Sequence, residues 1–179
     1  PVVTADSLGA FSEPLPAAGQ EPEAYARAAA LAKTLPVAAQ HPEACVLGAD
    51  TIVALGKDIL GKPKDPGEAL AMLKRLNGRA HRVITACAIA KPGTEAARQR
   101  LETIVDSTDV FFGQWPLSVL EAYATCGEPM DKAGAYAIQG AGGGLITGIQ
   151  GSWSTVVGLP LPLLLTHLLT LGVIAPRPH

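Results

Sequence analysis

The chain has 179 residues, enough for one domain or two small ones. Hydrophobic residues make up 48%, charged residues 17%, and mean hydropathy is +0.25, which excludes intrinsic disorder. A formal charge of −2 and an aromatic content of 4% exclude a protein held to nucleic acid by phosphate neutralisation or base stacking.

Pro1-Val2-Val3-Thr4 shows no charged leader running into a long apolar core, so no secretory signal is expected. Glu21-Pro22 then opens an alanine-rich helix over Glu23–Leu35, with Tyr25, Ala28, Ala29 and Ala32 at helical spacing. Lys33 lies near its C-terminal end, where a cation favours the negative end of the helix dipole. Ala44–Ala49 and Ile52–Leu55 form a long apolar run, read as a buried strand. The Gly56-Lys57-Asp58 turn leads into Ile59-Leu60 and predicts a hairpin. Asp65 as cap, Pro66 at the first position and Glu68 as capping-box partner start a helix that Asn77-Gly78 stops. Arg82–Ala90 is a strand, and the alternation over Thr103–Phe112 is another. Pro116–Thr125 reads as a short helix, Ala135–Ile138 as a short strand, Ala141–Gly144 as a turn, and Leu145–Ile149 as a strand. The uncharged stretch Val156–Ala175 is broken by Pro160, Pro162, Thr166, His167, Thr170 and Gly172. It predicts a buried terminal helix from Pro162 and not a membrane span. Strands alternating with helices, together with hairpins, give an α/β class with a mixed sheet.

Cys45, Cys87 and Cys126 contain no Cys-x-x-Cys pair, which disfavours disulfides and cysteine zinc sites and suits a reducing cytosol. Cys45 and Cys87 lie in apolar runs, where a thiol behaves as a small hydrophobe. His41, His81, His167 and His179 are scattered, without an i, i+4 pair for a metal.

Few polar residues interrupt the apolar runs, and these are the candidate site. Asp50 lies inside the first long strand, where an unpaired carboxylate costs several kcal/mol. It either caps a backbone group at a strand end or serves a cation or a reaction. Thr51 faces the other side of an ideal strand. Lys62 precedes Pro63, so its backbone is extended and its side chain leaves a stiff loop, either into solvent or toward a shared partner. Glu128, Asp131 and Lys132 crowd one turn, whose plain reading is a salt-bridged corner. Gln139-Gly140 opens a glycine-rich turn that fits neither the dinucleotide fingerprint nor a phosphate loop. Ser152 and Ser154 flank Trp153 without a nucleophile elbow or a nearby histidine, which disfavours a serine hydrolase.

Read together, these segments resemble the Maf family of nucleoside triphosphate pyrophosphatases. The likeness is carried by Gly48-Ala49-Asp50-Thr51-Ile52-Val53, Gly61-Lys62-Pro63, the run Glu128–Gly140, and Val157-Gly158-Leu159-Pro160-Leu161, in order from about Glu13 to about Leu169. It implies an elongated α/β fold of the inosine-triphosphatase-like kind, often dimeric. It also implies cleavage between the α and β phosphates of a nucleotide, giving a monophosphate and pyrophosphate with Mg²⁺, or with Mn²⁺ or Co²⁺ in its place. By position, Asp50 matches the family's general base or metal-associated carboxylate, Lys33 and Lys62 match phosphate-facing lysines, and Glu13 matches an acidic residue near the metal. Thr51 and Gln139 match base-selecting positions of the branch that acts on dTTP and UTP. The family's Ser-x-x-Arg-Arg loop has no counterpart at Pro1–Thr4, so residues 1–179 read as a single such domain lacking the N-terminal strand and arginine loop. A nucleoside triphosphate is the expected partner, with no stable nucleic acid binding and no membrane. The alternative implied by the resemblance is a weakly active, nucleotide-binding regulator of septum formation.

Overall fold

A computed structural model describes residues 19–92 and 100–176. Glu13, Pro1–Thr4 and His179 lie outside the described residues. Five strands, β1 (Val46–Leu55), β2 (Asp58–Leu60), β3 (Ala80–Lys91), β4 (Arg100–Phe112) and β5 (Ile146–Gln150), form one sheet in the order β2-β1-β3-β4-β5. The α/β class is as expected; among the described residues all four strand pairings are antiparallel, where a mixed sheet was expected. The reason lies in the β1-to-β3 connection. Strand β2 and helix α2 (Pro66–Leu76) go out and come back, so β3 starts beside the end of β1, with Ala54 opposite Arg82. Strands β3 and β4 have 12 and 13 residues, and at about 3.4 Å per residue a 12-residue strand is roughly 40 Å long, which gives the sheet its elongated shape.

Alternation along β3 divides the core. Ile84, Ala86 and Ala88 face helix α1 (Pro22–Gln40), whose Ala26 and Ala30 allow close packing against Ile52 and Ala54 of β1. Val83 on the opposite face joins Leu73 and Leu76 of α2, and Leu120 and Tyr123 of helix α3 (Leu117–Ala124). Farther along that face, Cys87 and Ile89 meet Leu164 of helix α5 (Leu161–Thr170).

Helix α2 forms as its cap residues predict: the Asp65 side chain accepts from the Glu68 N–H at 2.8 Å. Other expectations fail for identifiable reasons. Helix α1 runs through Pro36 to Gln40 instead of ending at Leu35, so Lys33 is not in its last turn and does not complement its dipole. Ala135–Ile138 is not a strand: Gly134 and Ala135 have φ of 69° and 61°, left-handed values that break extended backbone. The terminal helix α5 is mostly exposed, with only Leu164 buried, because it is apolar around much of its circumference and seats one face on the sheet. Among the described residues no helix is long and apolar enough to cross a membrane. Cys87 is buried as expected, whereas Cys45 is exposed just ahead of β1.

Candidate active site

Among the described residues, the first seven of β1 are flanked by a strand, β3, on one side only. Strand β2 is three residues long and pairs with Val53–Leu55, so no described strand covers the other edge from Val46 to Ile52. A cleft of about 530 Å³ lies on this edge, within the range of small-ligand sites. Successive side chains of β1 point to opposite faces, so the edge offers the cleft two different surfaces.

Asp50 points to the α1 side, where its carboxylate is only 8% exposed and Oδ1 accepts from Lys33 Nζ at 2.5 Å. That pair answers the desolvation cost that made Asp50 anomalous in an apolar strand. Lys62 enters from the loop after β2, and Asp131 and Lys132 enter from a short 3-10 turn. The Lys132 ammonium, 2.8 Å from Asp131 Oδ2, holds that carboxyl below its usual range, with Lys62 adding to the effect. Three lysines against two aspartates among its lining residues make the cleft suited to a polyanion.

Thr51 points to the opposite face, with Gln139, Ile138, Val156 and Val157 lining the same cleft. The Thr51 and Thr85 hydroxyls are 2.9 Å apart across β1 and β3. Ile138, Val156 and Val157 set apolar surface beside this hydroxyl and the Gln139 amide, an environment for a flat heterocycle rather than a phosphate.

Gln139 is held by a device that sequence reasoning missed. Glu128, read as part of a salt-bridged corner, instead accepts from the Tyr123 hydroxyl at 2.7 Å and from the backbone N–H groups of Ala141 and Gly142 at 2.9 and 3.0 Å. Tyr123 also accepts from the Ala137 N–H at 3.2 Å, so residues on both sides of Gln139 are tied to one buried phenol and one carboxylate. The backbone N–H of Gly142, with the phenol, holds Glu128 below its usual carboxylate range, and burial with the neighbouring carboxylate pushes Tyr123 up. The glycine run follows from this packing: a Cβ at Gly140 would lie 2.2 Å from a Glu128 oxygen, and one at Gly142 2.4 Å from the Tyr123 hydroxyl. The spacing of a carboxylate 12 residues ahead of a glycine turn carries no recognised sequence signal.

Behind the cleft wall, the Tyr136 hydroxyl is 2.7 Å from His81 Nε2, and His81 Nδ1 is buried without a partner among the described residues. Burial pushes the His81 imidazole down to about 4, so it is neutral at pH 7.

The cleft therefore gathers Lys33, Asp50, Thr51, Lys62 and Gln139, all singled out from the sequence as site residues, with Asp131 and Lys132 of the charged turn, and adds Tyr136. Glu13 falls outside the described residues.

Comparison with known proteins gives the same direction. A family model described as Maf-like protein matches residues 3–171. The dTTP/UTP pyrophosphatase of Oleidesulfovibrio alaskensis is 51% identical over 171 residues, covering 96% of this chain and 76% of the relative. The protein of the same name from Nitratidesulfovibrio vulgaris is 47% identical over 163 residues, covering 91% and 75%. That from Myxococcus xanthus is 49% identical over 146 residues, covering 82% and 71%.

Proposed function

Since the chain belongs to the Maf-like protein family, we propose that it is a nucleoside triphosphate pyrophosphatase that converts dTTP and UTP to the monophosphate and pyrophosphate. The observation that supports this reading is the edge of β1, which turns Asp50, paired with Lys33, to one face and Thr51 to the other, with Lys62 and Gln139 lining the same cleft. The names of relatives up to 51% identical over nearly the whole chain support the same substrates. They do not favour the alternative of a weakly active regulator of septum formation.

In this reading Asp50 orients a water and takes its proton as the water oxygen attacks the α phosphorus. The bond from that phosphorus to the bridging oxygen breaks, and pyrophosphate leaves. Lys33 pairs with Asp50 and aims it, while Lys62 and Lys132 offset charge on the leaving phosphates. Gln139 presents a donor and an acceptor to the pyrimidine edge. The Val156 and Val157 side chains bury the ring face.

A divalent cation fits the donor set. The cleft is lined by the Asp50 and Asp131 carboxylates and by no imidazole or thiolate among the described residues. One or two carboxylates plus phosphate oxygens is the usual set for Mg²⁺, with Mn²⁺ or Co²⁺ as substitutes. When bound, the cation neutralises phosphate charge. Such an enzyme suits the cytoplasm, where nucleoside triphosphates are made. The exposed Leu161, Leu165 and Leu169 on α5 support pairing of two copies.

The test is pyrophosphate release from a panel of nucleoside triphosphates with Mg²⁺. The reading predicts release from dTTP and UTP well above release from the purine nucleotides. No release from either pyrimidine substrate would overturn it.

A further inference from the structure

Thr51 can present its hydroxyl to the cleft as donor or acceptor, and the residues behind it decide which. Thr85 lies directly opposite on β3 and is fully buried. Its hydroxyl donates to the backbone carbonyl of Thr155 at 2.7 Å. That carbonyl belongs to the short helix α4 (Trp153–Val157), and the Leu159 N–H that would cap it bonds to Ser154 instead. Thr155 is fixed in turn by its own hydroxyl, which donates to Asp106 Oδ2 of β4 at 2.5 Å. A hydroxyl has one hydrogen, and Thr85 has spent its own on a group that can only accept. In the 2.9 Å contact between the two threonines, Thr51 must therefore be the donor. Its hydrogen points inward, and it turns only lone pairs to the cleft.

We propose that Thr85 is a specificity-determining positioning residue: it locks Thr51 as a hydrogen-bond acceptor, so that the cleft reads a donor N–H on the pyrimidine ring. This rests on the nucleotide reading above and deepens it. Thymine and uracil share an imide N–H flanked by two carbonyls. Cytosine carries a lone pair on the same ring nitrogen, which would meet the Thr51 lone pairs head on. The lock lets one cleft take both dTTP and UTP, which differ at a methyl group and a sugar hydroxyl, and predicts discrimination against CTP. The amide of Gln139 can turn over to suit either ring, so the selection falls to the threonine that cannot turn.

The experiment compares kcat/KM for UTP and CTP in the unaltered protein, in Thr85→Val and in Thr85→Ser, with thermal melting to check folding. Freed from its partner, Thr51 can donate, so Thr85→Val should lower the UTP/CTP ratio about tenfold or more, while Thr85→Ser keeps it. A merely structural loss would lower both substrates together and leave the ratio unchanged, which would overturn the proposal. N3-methyluridine triphosphate, which lacks the imide hydrogen, gives a readout on the unaltered protein that needs no variant. It should be cleaved at least tenfold less well than UTP, and equal cleavage would also overturn the proposal. If the unaltered protein cleaves neither UTP nor dTTP, the nucleotide reading itself has failed. A protein that cleaves UTP but whose ratio ignores Thr85 refutes the lock alone.

Discussion

The Lys33 ammonium and the Asp50 carboxylate meet at 2.5 Å across the gap between α1 and β1, and the carboxylate is almost entirely buried. This one contact serves both stability and the proposed chemistry, because it makes a buried charge tolerable and holds it at the cleft wall.

Removing Lys33 strands that charge. Lys33→Met is expected to destabilise the protein by about 3 kcal/mol, the usual cost of breaking a buried ion pair from one side. Denaturant unfolding at pH 7 measures it. Lys62, exposed on its loop, should behave differently. Lys62→Met should change stability by no more than about 0.5 kcal/mol, yet raise KM for the triphosphate. Equal destabilisation by the two variants would contradict the division of labour.

Asp50→Asn preserves shape and removes the base. Pyrophosphate release should fall by about 10²–10⁴-fold, with circular dichroism unchanged. Retained turnover would take Asp50 out of the reaction.

His81 makes the fold acid-sensitive. Its folded value, about 4, lies below the value near 6.5 of an unfolded histidine. Between the two, the unfolded chain binds the extra proton. Stability is therefore complete above about pH 6.5 and declines as pH falls toward 4, by at most about 3 kcal/mol. Urea midpoints at pH 7.5 and 4.5 should diverge in the unaltered protein. In His81→Leu the gap should narrow, and a gap of undiminished size would contradict the assignment.

The Glu128 anchor predicts a third kind of defect. Gly142→Ala places a methyl where the Tyr123 hydroxyl stands, and overpacking of this kind costs about 1–3 kcal/mol. Because the turn also carries Gln139, kcat/KM for dTTP should drop more than binding of inorganic triphosphate, measured by calorimetry. A parallel loss of both would mean that the turn serves folding alone.

Much of this site could be read in the residues, and the gaps have physical causes. Asp50 stood out because a carboxylate inside Ala44–Leu55 has to be compensated by something. Its partner was hidden: a helix read as ending at Leu35 left Lys33 near its end, and only the continuation of α1 to Gln40 shows Lys33 lying mid-helix over β1. The segment around Gln139 was legible through its family resemblance, but its conformation was not. Ala135 adopts a left-handed backbone that its residue type gives no reason to expect. Thr85 was invisible because a threonine in a strand is ordinary, and its role depends on a carbonyl 70 residues away. The antiparallel pairing of every described strand was not legible, because a helix between two strands usually signals a parallel crossover, whereas the short β2 changes which end of the sheet the chain returns to.

The central claim is that a nucleotide straddles the open edge of β1, its phosphates on the α1 side and its base on the other. A crystal structure of Asp50→Asn with dTTP and Mg²⁺ tests it most directly. The account predicts the triphosphate beside Lys33 and Lys62 and the thymine ring against Thr51 and Gln139. A nucleotide bound outside this cleft, or lying in it with the base toward Lys33, would contradict it.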